Sequence, residues 1–421
     1  MKNSLFLILC LFFTSQSLAE SFIVNQIQIE GNNRTQKDVI LDEIGFKEGT
    51  KVSEDQIKDS QQKLKNLNLF SFAQVRKSKT NNDVIITLKE KWTTIPVLKF
   101  SSGGDVNQTT VGVYDPNVFG RLTELGAQYQ KLEDTDSGVV WFKKPRLNGE
   151  KQGLNFQLWK IDRLRTKYFQ QPDDPIVKTG FLQKKQKIYF AYNRYLSEKL
   201  NLEGAYEYNY DEFSSELIPL EARDTVSSEG LPPSTKVHFL GAHINYGEVF
   251  HDQFLKQGDT LRLSLRRGFS EGASTKDFLQ FDLSNEYFKI LGKRHQLAIR
   301  TLIGATDTNI LQFWYYLGGL DRIRGFADNR FSGKYAWLNN SEFRYYLWGN
   351  ENFVFQTVAF LDLINTAERI KNFTSMNGAS TGLGLRVTLP KFYRFILRLD
   401  YAEPLKKNDD NHVSFGVQQF F

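Results

Sequence analysis

The segment Leu317-Gly-Gly-Leu-Asp-Arg-Ile-Arg-Gly-Phe-Ala-Asp-Asn-Arg-Phe331, called the arginine loop below, interrupts an otherwise regular pattern. The long segments before and after it alternate apolar and polar residues, whereas this one carries paired glycines, three arginines and two aspartates. It is longer than the roughly 2–5 residues of a β-hairpin loop. Its aromatic and Arg-Gly-Phe content argues against disorder. The segment is therefore predicted to be a functional loop between strands.

The flanking sequence, from Thr93 to Phe421, has an almost continuous two-residue period. From Leu261 to Arg266, for example, leucine alternates with arginine and serine. Charged side chains along the inner face of a whole strand cannot pack a dry core, because a buried unpaired charge is costly. A closed barrel with an apolar outside and a wet lumen satisfies them. The pattern predicts an all-β transmembrane barrel over residues 93–421.

About sixteen antiparallel strands are predicted in this barrel, an even number as is usual in bacterial outer-membrane barrels. The arginine loop falls between the eleventh and twelfth strands and, by up-and-down parity, at the end opposite the N-terminal residues. Two other stretches, Asp173–Thr179 and Ile218–Ser234, are predicted to be loops. The strands are predicted to begin near Ile95, Gln108, Thr123, Ser137, Gly153, Gln183, Lys199, Thr235, Asp259, Lys276, Arg294, Gly333, Glu351, Ser380, Tyr393 and His412.

Residues 1–19 have the features of a secretory signal peptide. Lys2 supplies the positive start, the apolar core runs from Leu5 to Phe13, and Ser17-Leu-Ala19 is a small-x-small cleavage site. The apolar run is shorter than the roughly 20 residues that span a bilayer. Cys10, the one cysteine, precedes the end of the apolar run, which disfavours a lipoprotein. We expect an exported mature chain without cysteine, which excludes disulfide and thiol chemistry.

Residues 20–92 are predicted to form a small α+β domain with the order β-α-α-β-β. A strand is expected over Phe22–Ile29 and a short helix over Thr35–Ile44. A second helix begins at Ser53, because Ser53 and Gln56 have the spacing of a capping box. A domain of this size can fold independently. Two further strands are expected at Phe72–Lys77 and Val84–Lys89.

Composition and local motifs limit the function further. The formal charge of +6 is small for 421 residues, and basic residues alternate with acids, which argues against nucleic-acid binding. The segment Gly378-Ala-Ser380-Thr-Gly382 matches a nucleophile-elbow pattern, but that turn needs a following helix and the next residues have strand alternation. His238 and His243 are expected on opposite faces of one strand. No catalytic, metal-binding or cofactor-binding residue is therefore predicted.

The N-terminal segment resembles a POTRA domain, a periplasmic module associated with polypeptide transport. The similarity lies in the opening Ile27-Gln-Ile-Glu-Gly-Asn32, the helix end Leu64-Lys-Asn-Leu-Asn-Leu-Phe70 and the strand Val84-Ile-Ile-Thr-Leu88. Pattern alone would favour an unrelated small α+β domain, so the identification depends on the barrel that follows. With the signal peptide, this domain, about sixteen strands and the loop Ile323-Arg-Gly-Phe326 before strand twelve, the mature chain resembles the outer-membrane assembly and translocation superfamily of BamA and TamA.

The resemblance implies that the arginine loop folds into the lumen and that its arginine pairs with acids on nearby strands. The family's motif residues match here as Arg324, Gly325 and Phe326, with Glu342 in Asn340-Ser-Glu-Phe343 and Asp362 in Phe360-Leu-Asp362. Alternation places both acids inward, and a planar guanidinium can bond two carboxylates. We expect Arg324 to bridge Glu342 and Asp362. The alternative is three ordinary solvated lumen residues.

A lateral seam between the first and last strands is also implied by the resemblance. The first strand carries Ser101-Ser-Gly103-Gly104, where glycine weakens pairing. The last strand ends at Phe421, and a terminal aromatic residue is typical of barrels that outer-membrane assembly machinery recognises. Gln419 departs from the apolar pattern expected there. The expected seam residues are Gly103, Gly104 and Phe421, and a simple glycine turn is the alternative.

The resemblance implies an outer-membrane protein that assembles or translocates polypeptides without covalent chemistry, with its N-terminal domain in the periplasm. Its expected partners are outer-membrane lipid, unfolded outer-membrane or secreted polypeptides, and periplasmic proteins bound through the POTRA domain. One such domain is fewer than the main assembly factor carries, which favours a specialised factor. A dedicated two-partner transporter typically has two POTRA domains and a plug helix, and neither is predicted. The sequence is also compatible with a lipid-handling protein, a channel or an outer-membrane enzyme.

Overall fold

The chain folds into a small N-terminal domain followed by a sixteen-stranded antiparallel barrel, which confirms the predicted fold class. No helix among the described residues is long and apolar enough to cross a membrane. The computed structural model describes residues 21–103, 106–170, 175–216, 230–252, 254–271, 276–319, 322–374, 376–393, 395–405, 412–417 and 421.

The N-terminal domain has two helices over a three-stranded sheet of order β2-β5-β4, in which β2 runs parallel to β5. The prediction of one strand over Phe22–Ile29 is wrong. The main-chain amides of Val24 and Asn25 donate to Thr50 and Asn82, which divides the segment, and β1 pairs with β3 instead. The elements are β1 (Ser21–Ile23), β2 (Ile27–Glu30), α1 (Lys37–Ile44), β3 (Lys51–Ser53), α2 (Glu54–Asn66), β4 (Phe70–Lys77) and β5 (Val84–Glu90).

Helix α2 begins with the capping box predicted at Ser53. The Gln56 amide donates to Ser53 Oγ at 3.3 Å, and the Ser53 amide donates to Gln56 Oε1 at 2.9 Å. These bonds satisfy main-chain donors that the first helical turn leaves unpaired. Ile57 and Leu64 lie one above the other on the buried face of the helix and pack into the domain core.

Each barrel strand pairs antiparallel with its neighbours in chain order. Between β16 and β19 the chain forms two short strands of its own, β17 (Tyr315–Leu317) and β18 (Phe331–Gly333), which pair with each other. The barrel strands are β6 (Ile95–Gly103), β7 (Val106–Asp115), β8 (Glu124–Leu132), β9 (Thr135–Lys144), β10 (Gln152–Gln170), β11 (Pro175–Tyr195), β12 (Leu200–Ser214), β13 (Thr235–Asp252), β14 (Leu255–Ser270), β15 (Phe278–Leu291), β16 (His295–Thr306), β19 (Tyr335–Gly349), β20 (Val354–Ala367), β21 (Gly378–Thr388), β22 (Ile396–Pro404) and β23 (His412–Val417).

The predicted strand starts agree with these bounds to within a few residues, except for the sixth strand. Its predicted start is Gln183, after a loop at Asp173–Thr179, but β11 already begins at Pro175. Asp173 and Asp174 lie outside the described residues, and from Pro175 onwards the loop prediction is wrong because Ile176, Val177 and Thr179 continue the ladder with β10, as β-branched residues favour strands. Most of the loop predicted at Ile218–Ser234 lies outside the described residues, and its last five residues have no strand structure.

The outer face of the barrel is apolar and the inner face is polar. Charged and amide side chains point inward, where many are nearly completely buried. This two-sided pattern matches a lipid-facing surface around a polar lumen. The exposed apolar residues of the strands include Leu98, Phe100, Val111, Val113, Leu125, Val140, Leu240, Ile244, Leu265, Leu279, Phe281, Phe343, Tyr345, Leu347, Phe355, Leu361, Leu383, Leu385, Leu399, Tyr401, Val413 and Phe415.

Candidate functional site in the barrel lumen

The arginine loop lies inside the barrel, with its two ends held together by the pairing of β17 with β18. Ile323 and Phe326 are buried and pack with Phe331 and with apolar side chains of the wall. The Phe326 and Phe331 rings meet edge to face, with centroids 5.0 Å apart. The amide of Gly319 donates to the Phe326 carbonyl at 3.0 Å, which closes the loop on itself. Burial of these aromatic residues anchors the loop in the lumen.

Gly325 has a conformation that favours glycine. Its φ angle is +83°, in the region that side-chain-bearing residues rarely adopt. A Cβ at this position would lie 3.4 Å from atoms of Ser380, Ala402 and Pro404. Beside it, Ser380 Oγ donates to the Arg324 carbonyl at 2.5 Å. Ser380, the central residue of the elbow-like motif, therefore lies within strand β21 and holds the loop backbone.

Arg324 contacts both acids named from the sequence. Its Nε and Nη2 donate to the two carboxylate oxygens of Asp362, each at 2.8 Å, and its main-chain amide donates to the same carboxylate at 3.2 Å. Its Nη1 donates to Glu342 Oε1 at 2.7 Å. The guanidinium also stacks on Phe360, 3.6 Å from the ring centroid. This fork geometry gives the strongest kind of charged hydrogen bond.

Two further arginines and a third acid complete this arrangement, and sequence reasoning did not assign them to the site. Arg344 Nε donates to Glu342 Oε2 at 2.8 Å, and Arg386 Nη1 donates to Asp400 Oδ1 at 2.7 Å. Arg386 Nη2 lies 3.4 Å from Glu342, which joins the two pairs. The alternating pattern marks all three as lumen-facing, because each of these residues stands between apolar neighbours on its strand. The ion cluster consists of Arg324, Arg344, Arg386, Glu342, Asp362 and Asp400.

The ion cluster is withdrawn from water. Each of its six side chains is at most 2% exposed. Three positive and three negative groups balance, so the cluster carries no net charge. Burial makes each group costly by itself, and removal of one partner from such a buried pair typically costs about 3–5 kcal/mol. The loop and the wall strands β19–β22 are therefore mutually dependent.

The arginine loop also reaches the opposite wall of the barrel. Asn329 Nδ2 donates to the Leu164 carbonyl on β10 at 3.0 Å, and Arg165 Nη1 donates to Asn329 Oδ1 at 3.2 Å. The Arg165 guanidinium lies 4.9 Å from the centroid of the Tyr316 ring. With the ion cluster on one wall and these contacts on the other, the loop crosses the lumen.

The first and last barrel strands form a seam. In the described part of the chain, β6 has a ladder with β7 and β23 has one with β22, but no ladder joins β6 to β23. Gly103 is the last residue of β6, opposite Val106, whereas Gly104 lies outside the described residues. Phe421 lies on the lumen side against Arg300 and Arg344. Within the described ranges, β6 and β23 therefore lie side by side without the ladder that joins the other neighbouring strands.

Comparison with known proteins agrees with this architecture. The model of the Omp85 superfamily domain matches residues 117–421. The chain belongs to the Omp85 superfamily. The model of the POTRA domain, described as the surface antigen variable number repeat, matches residues 22–91. No curated protein sequence matches the chain significantly.

Solved structures of two kinds share the fold of this Omp85 protein. BamA from Haemophilus ducreyi, lacking its POTRA domains 1–3, is 16% identical with a TM-score of 0.56, over 93% of this chain and 83% of that one. CdiB from Escherichia coli is 14% identical with a TM-score of 0.66, over 94% and 76%. CdiB from Acinetobacter baumannii is 15% identical with a TM-score of 0.63, over 94% and 73%.

Family membership places the protein in the outer membrane and gives it a role in protein insertion or translocation. The predicted resemblance is confirmed. The predicted domain boundaries stay predictions, as do the roles of the loop and seam residues.

The POTRA domain of this Omp85 protein packs against the turns at one end of the barrel. Arg34 Nη2 donates to Asp115 Oδ2 at the end of β7 at 2.6 Å. On the other side of the domain, Asn66 Nδ2 of α2 donates to Glu248 Oε1 of β13 at 3.1 Å. Lys63 Nζ lies 3.5 Å from Glu198 in the turn after β11. These contacts hold the domain beneath the barrel, at the end opposite the arginine loop.

Charge pairing supports this packing. Burial alone would raise the pKa of the Glu198 carboxyl, but a hydrogen bond from Lys151 and the charges of Lys151 and Lys63 outweigh it and hold the pKa below its ordinary value. A carboxyl whose pKa is depressed in the folded state stabilises that state above its ordinary pKa and loses this effect as the pH falls. Glu198 and its lysine partners are partly exposed, so their charge pairing contributes little to stability and is screened by salt.

Substitution of Gly120 by alanine is expected to loosen the POTRA domain from the barrel. Gly120 has a φ of +70°, and an added Cβ would lie 1.9 Å from the carbonyl oxygen of Arg34. Such overpacking typically costs about 1–3 kcal/mol. Protease cleavage of the connection near Trp92 should therefore become faster. Gly204→Ala is the matched control, because a Cβ there meets nothing within 4 Å, and equal cleavage rates in the two variants would contradict the prediction.

Proposed function

We propose that this Omp85 protein inserts unfolded β-barrel polypeptides into the outer membrane through the seam between β6 and β23. The observation that carries the proposal is the contrast between the two routes through the barrel. The arginine loop crosses the lumen from the ion cluster to β10, whereas the lateral route crosses only a boundary without a described ladder. A client that leaves sideways reaches the bilayer without displacing buried ionic contacts.

The edges of β6 and β23 carry the main-chain groups that would pair with a client strand during insertion. A strand edge presents main-chain donors and acceptors that pair readily with another extended chain. In lipid these groups have no water to bond, so a client strand that adds to the edge satisfies both chains. Among the described residues no ladder joins β6 to β23, so few main-chain hydrogen bonds oppose their separation there. A client hairpin can therefore grow from the seam one strand at a time.

The POTRA domain supplies a first binding surface on the periplasmic side. Its three-stranded sheet has β2 and β4 as its two edges. β4 has eight residues, long enough to pair with an extended client, and main-chain pairing of this kind depends little on client sequence. The domain lies beneath the barrel turns, so a client held there is delivered close to the seam.

Export of one secreted partner through the lumen is the competing function. It would require the arginine loop to leave the lumen and would break the contacts of Arg324 and Asn329. Among the described residues, both α-helices belong to the POTRA domain, so no helix of a plug lies in that part of the barrel. The similarity to the two CdiB structures concerns the fold alone, at 14% and 15% identity.

Removal of the gene tests the proposal in cells. Comparison of outer-membrane and secreted proteomes should show loss of several β-barrel proteins and unchanged secreted proteins. Loss of one secreted protein would favour dedicated export instead. Unchanged levels of both classes would contradict any polypeptide function and favour a lipid or channel role.

Reconstitution tests the same proposal in isolation. Proteoliposomes that contain the full protein should accelerate folding of a urea-unfolded barrel client, measured as the change of its gel mobility on heating. Liposomes without protein provide the background rate. A rate equal to this background, with correctly folded protein in the membrane, would overturn the insertion function.

A further inference from the structure

The lipid-facing wall of the barrel has a depression across strands β7–β11, called the outer groove below. Its volume is about 930 Å³, near the upper end of the range for sites that bind small ligands. The outward side chains of its floor are apolar, with Ala127 on β8, Val140 on β9, Leu158 on β10 and Ile188 on β11. These four residues are paired in register from strand to strand, so they form one row across the wall. The groove is therefore a feature of the outer, lipid-facing surface.

Gly138 leaves the space that makes the outer groove. It stands on β9 between Tyr129 of β8 and Lys160 of β10 in the ladder. Its backbone does not require glycine, because its φ is not positive and an added Cβ would lie 3.6 Å from the Gln128 carbonyl oxygen, an ordinary contact distance. β9 pairs with both neighbours without a register shift, so no bulge explains the glycine either. A glycine within a strand often marks a place that a ligand approaches closely.

The outer groove is polar at one end only. Toward the turn that joins β8 to β9, the outward positions are charged, with Lys131 opposite Asp136. Lys160 lines the groove, and its Nζ lies 3.2 Å from Asp162 Oδ2, with 66% of the Lys160 side chain exposed. Tyr129 Oη donates to the Asp136 carboxylate. The groove thus combines an apolar floor with a rim that carries exposed ammonium groups and two carboxylates.

We propose that the outer groove binds a phosphorylated glycolipid of the external leaflet, of the lipopolysaccharide class, with acyl chains on the apolar floor and a phosphate beside Lys160. Lipid covers this wall of a membrane barrel, which defines the apolar part of the occupant. The leaflet follows from the direction of β8. This strand begins beside the POTRA domain, where the Gln36 amide donates to the Gly120 carbonyl at 3.0 Å, and runs away from it. With the POTRA domain in the periplasm, the charged rim lies at the external surface.

Width and charge favour this lipid over a phospholipid with two acyl chains. The outer groove extends from Val111 on β7 to Ile188 on β11, and five strands spaced about 4.8 Å apart span roughly 19 Å. Two chains would leave part of this width empty, whereas a glycolipid with several chains covers it. Asp136 and Asp162 would repel the phosphate of a small headgroup, but they accept hydrogen bonds from sugar hydroxyls while Lys160 pairs with the phosphate. The mixed rim therefore matches a headgroup that carries both hydroxyl and phosphate groups.

Binding of fluorescent lipopolysaccharide to the full protein, freed of lipid in detergent, tests the outer groove. Gly138→Leu fills the groove and should weaken binding about tenfold, which corresponds to about 1.4 kcal/mol. Gly204→Leu is the matched control and should bind as the unchanged protein does, because Gly204 is an exposed glycine on β12 whose added Cβ meets nothing within 4 Å. Lys160→Gln should weaken binding of lipopolysaccharide but not of its dephosphorylated form, and Lys160→Arg should bind both as the unchanged protein does.

Equal affinity of Gly138→Leu and the unchanged protein would overturn the proposal, as would an equal loss of affinity in Gly204→Leu. Phosphatidylglycerol that bound as tightly as lipopolysaccharide would overturn the choice of ligand. The heat-modifiable gel mobility of every variant shows whether it is folded, and Gly138→Val, with a smaller side chain, provides a second variant if Gly138→Leu fails to fold. The inference does not rest on the proposed function, because proteoliposomes of phospholipid alone measure client insertion without this glycolipid.

Discussion

Replacement of Arg324 by alanine is expected to lower barrel stability by about 3–5 kcal/mol and to reduce client insertion to near background, because two buried carboxylates lose their shared partner. Asp362 would lose three hydrogen bonds, two from the guanidinium directly and one through displacement of the loop backbone. Arg344 and Arg386 would still neutralise Glu342 and Asp400. Asp362 would therefore be the main carboxylate left without a partner, and the arginine loop would lose its attachment to the wall strands β19–β22.

The measurements are the temperature at which the folded gel band disappears, the rate of protease cleavage within the arginine loop, and insertion in proteoliposomes. Arg322→Ala is the matched control, because its side chain is exposed and only its main-chain oxygen accepts a bond from Asn340. Arg324→Lys keeps the charge without the planar fork, so it should give an intermediate loss. If Arg324→Ala and Arg322→Ala gave the same values, the ion cluster would not hold the loop.

A disulfide across the seam is expected to stop client insertion without unfolding the barrel. Leu98 and Phe100 of β6 and Val413 and Phe415 of β23 all face lipid, so cysteines at these positions project from the same surface. Phe415→Cys can be combined in turn with Leu98→Cys and Phe100→Cys, since a bridge forms only where the Cα atoms lie within about 4.4–6.8 Å. The predicted mature chain has no other cysteine.

Oxidation of the bridged pair should reduce the insertion rate to that of empty liposomes, and a reductant should restore it. A pair such as Leu265→Cys with Phe281→Cys, on strands β14 and β15 joined by a complete ladder, provides the control, because that boundary is closed already. Full activity of the oxidised seam variant would show that clients do not leave between β6 and β23.

Alternation in the sequence predicted the barrel and the inward direction of Glu342 and Asp362, because a period of two assigns each residue to a face. The same alternation also includes Arg386 and Asp400, which stand between apolar neighbours. It did not show that they converge with Arg324, because that depends on how far neighbouring strands are staggered along the barrel. Alternation shows whether a side chain points into the lumen or outward, but it does not show its position along the barrel axis.

Two errors in the predicted elements have the same origin. The sequence analysis predicts a loop at Asp173–Thr179, but the ladder with β10 extends β11 back to Pro175. Likewise Phe22–Ile29 has a continuous strand pattern, yet bonds to Thr50 and Asn82 divide it. In both cases the pairing partner of the segment, and not the segment's own residue pattern, decided the outcome. No periodic pattern in the sequence predicts the packing of the POTRA domain on Gly120, because this packing depends on one close contact between two domains.

The ion cluster also constrains the order in which this barrel itself can fold. All six charges come from the arginine loop and from β19–β22, which are consecutive in the chain, whereas the contact of Asn329 with β10 joins residues 165 positions apart. Contacts that close short loops form sooner than distant ones. The C-terminal strands can thus neutralise their own charges around the loop before the N-terminal strands arrive. An intermediate of this kind would enter the bilayer without net charge at its centre.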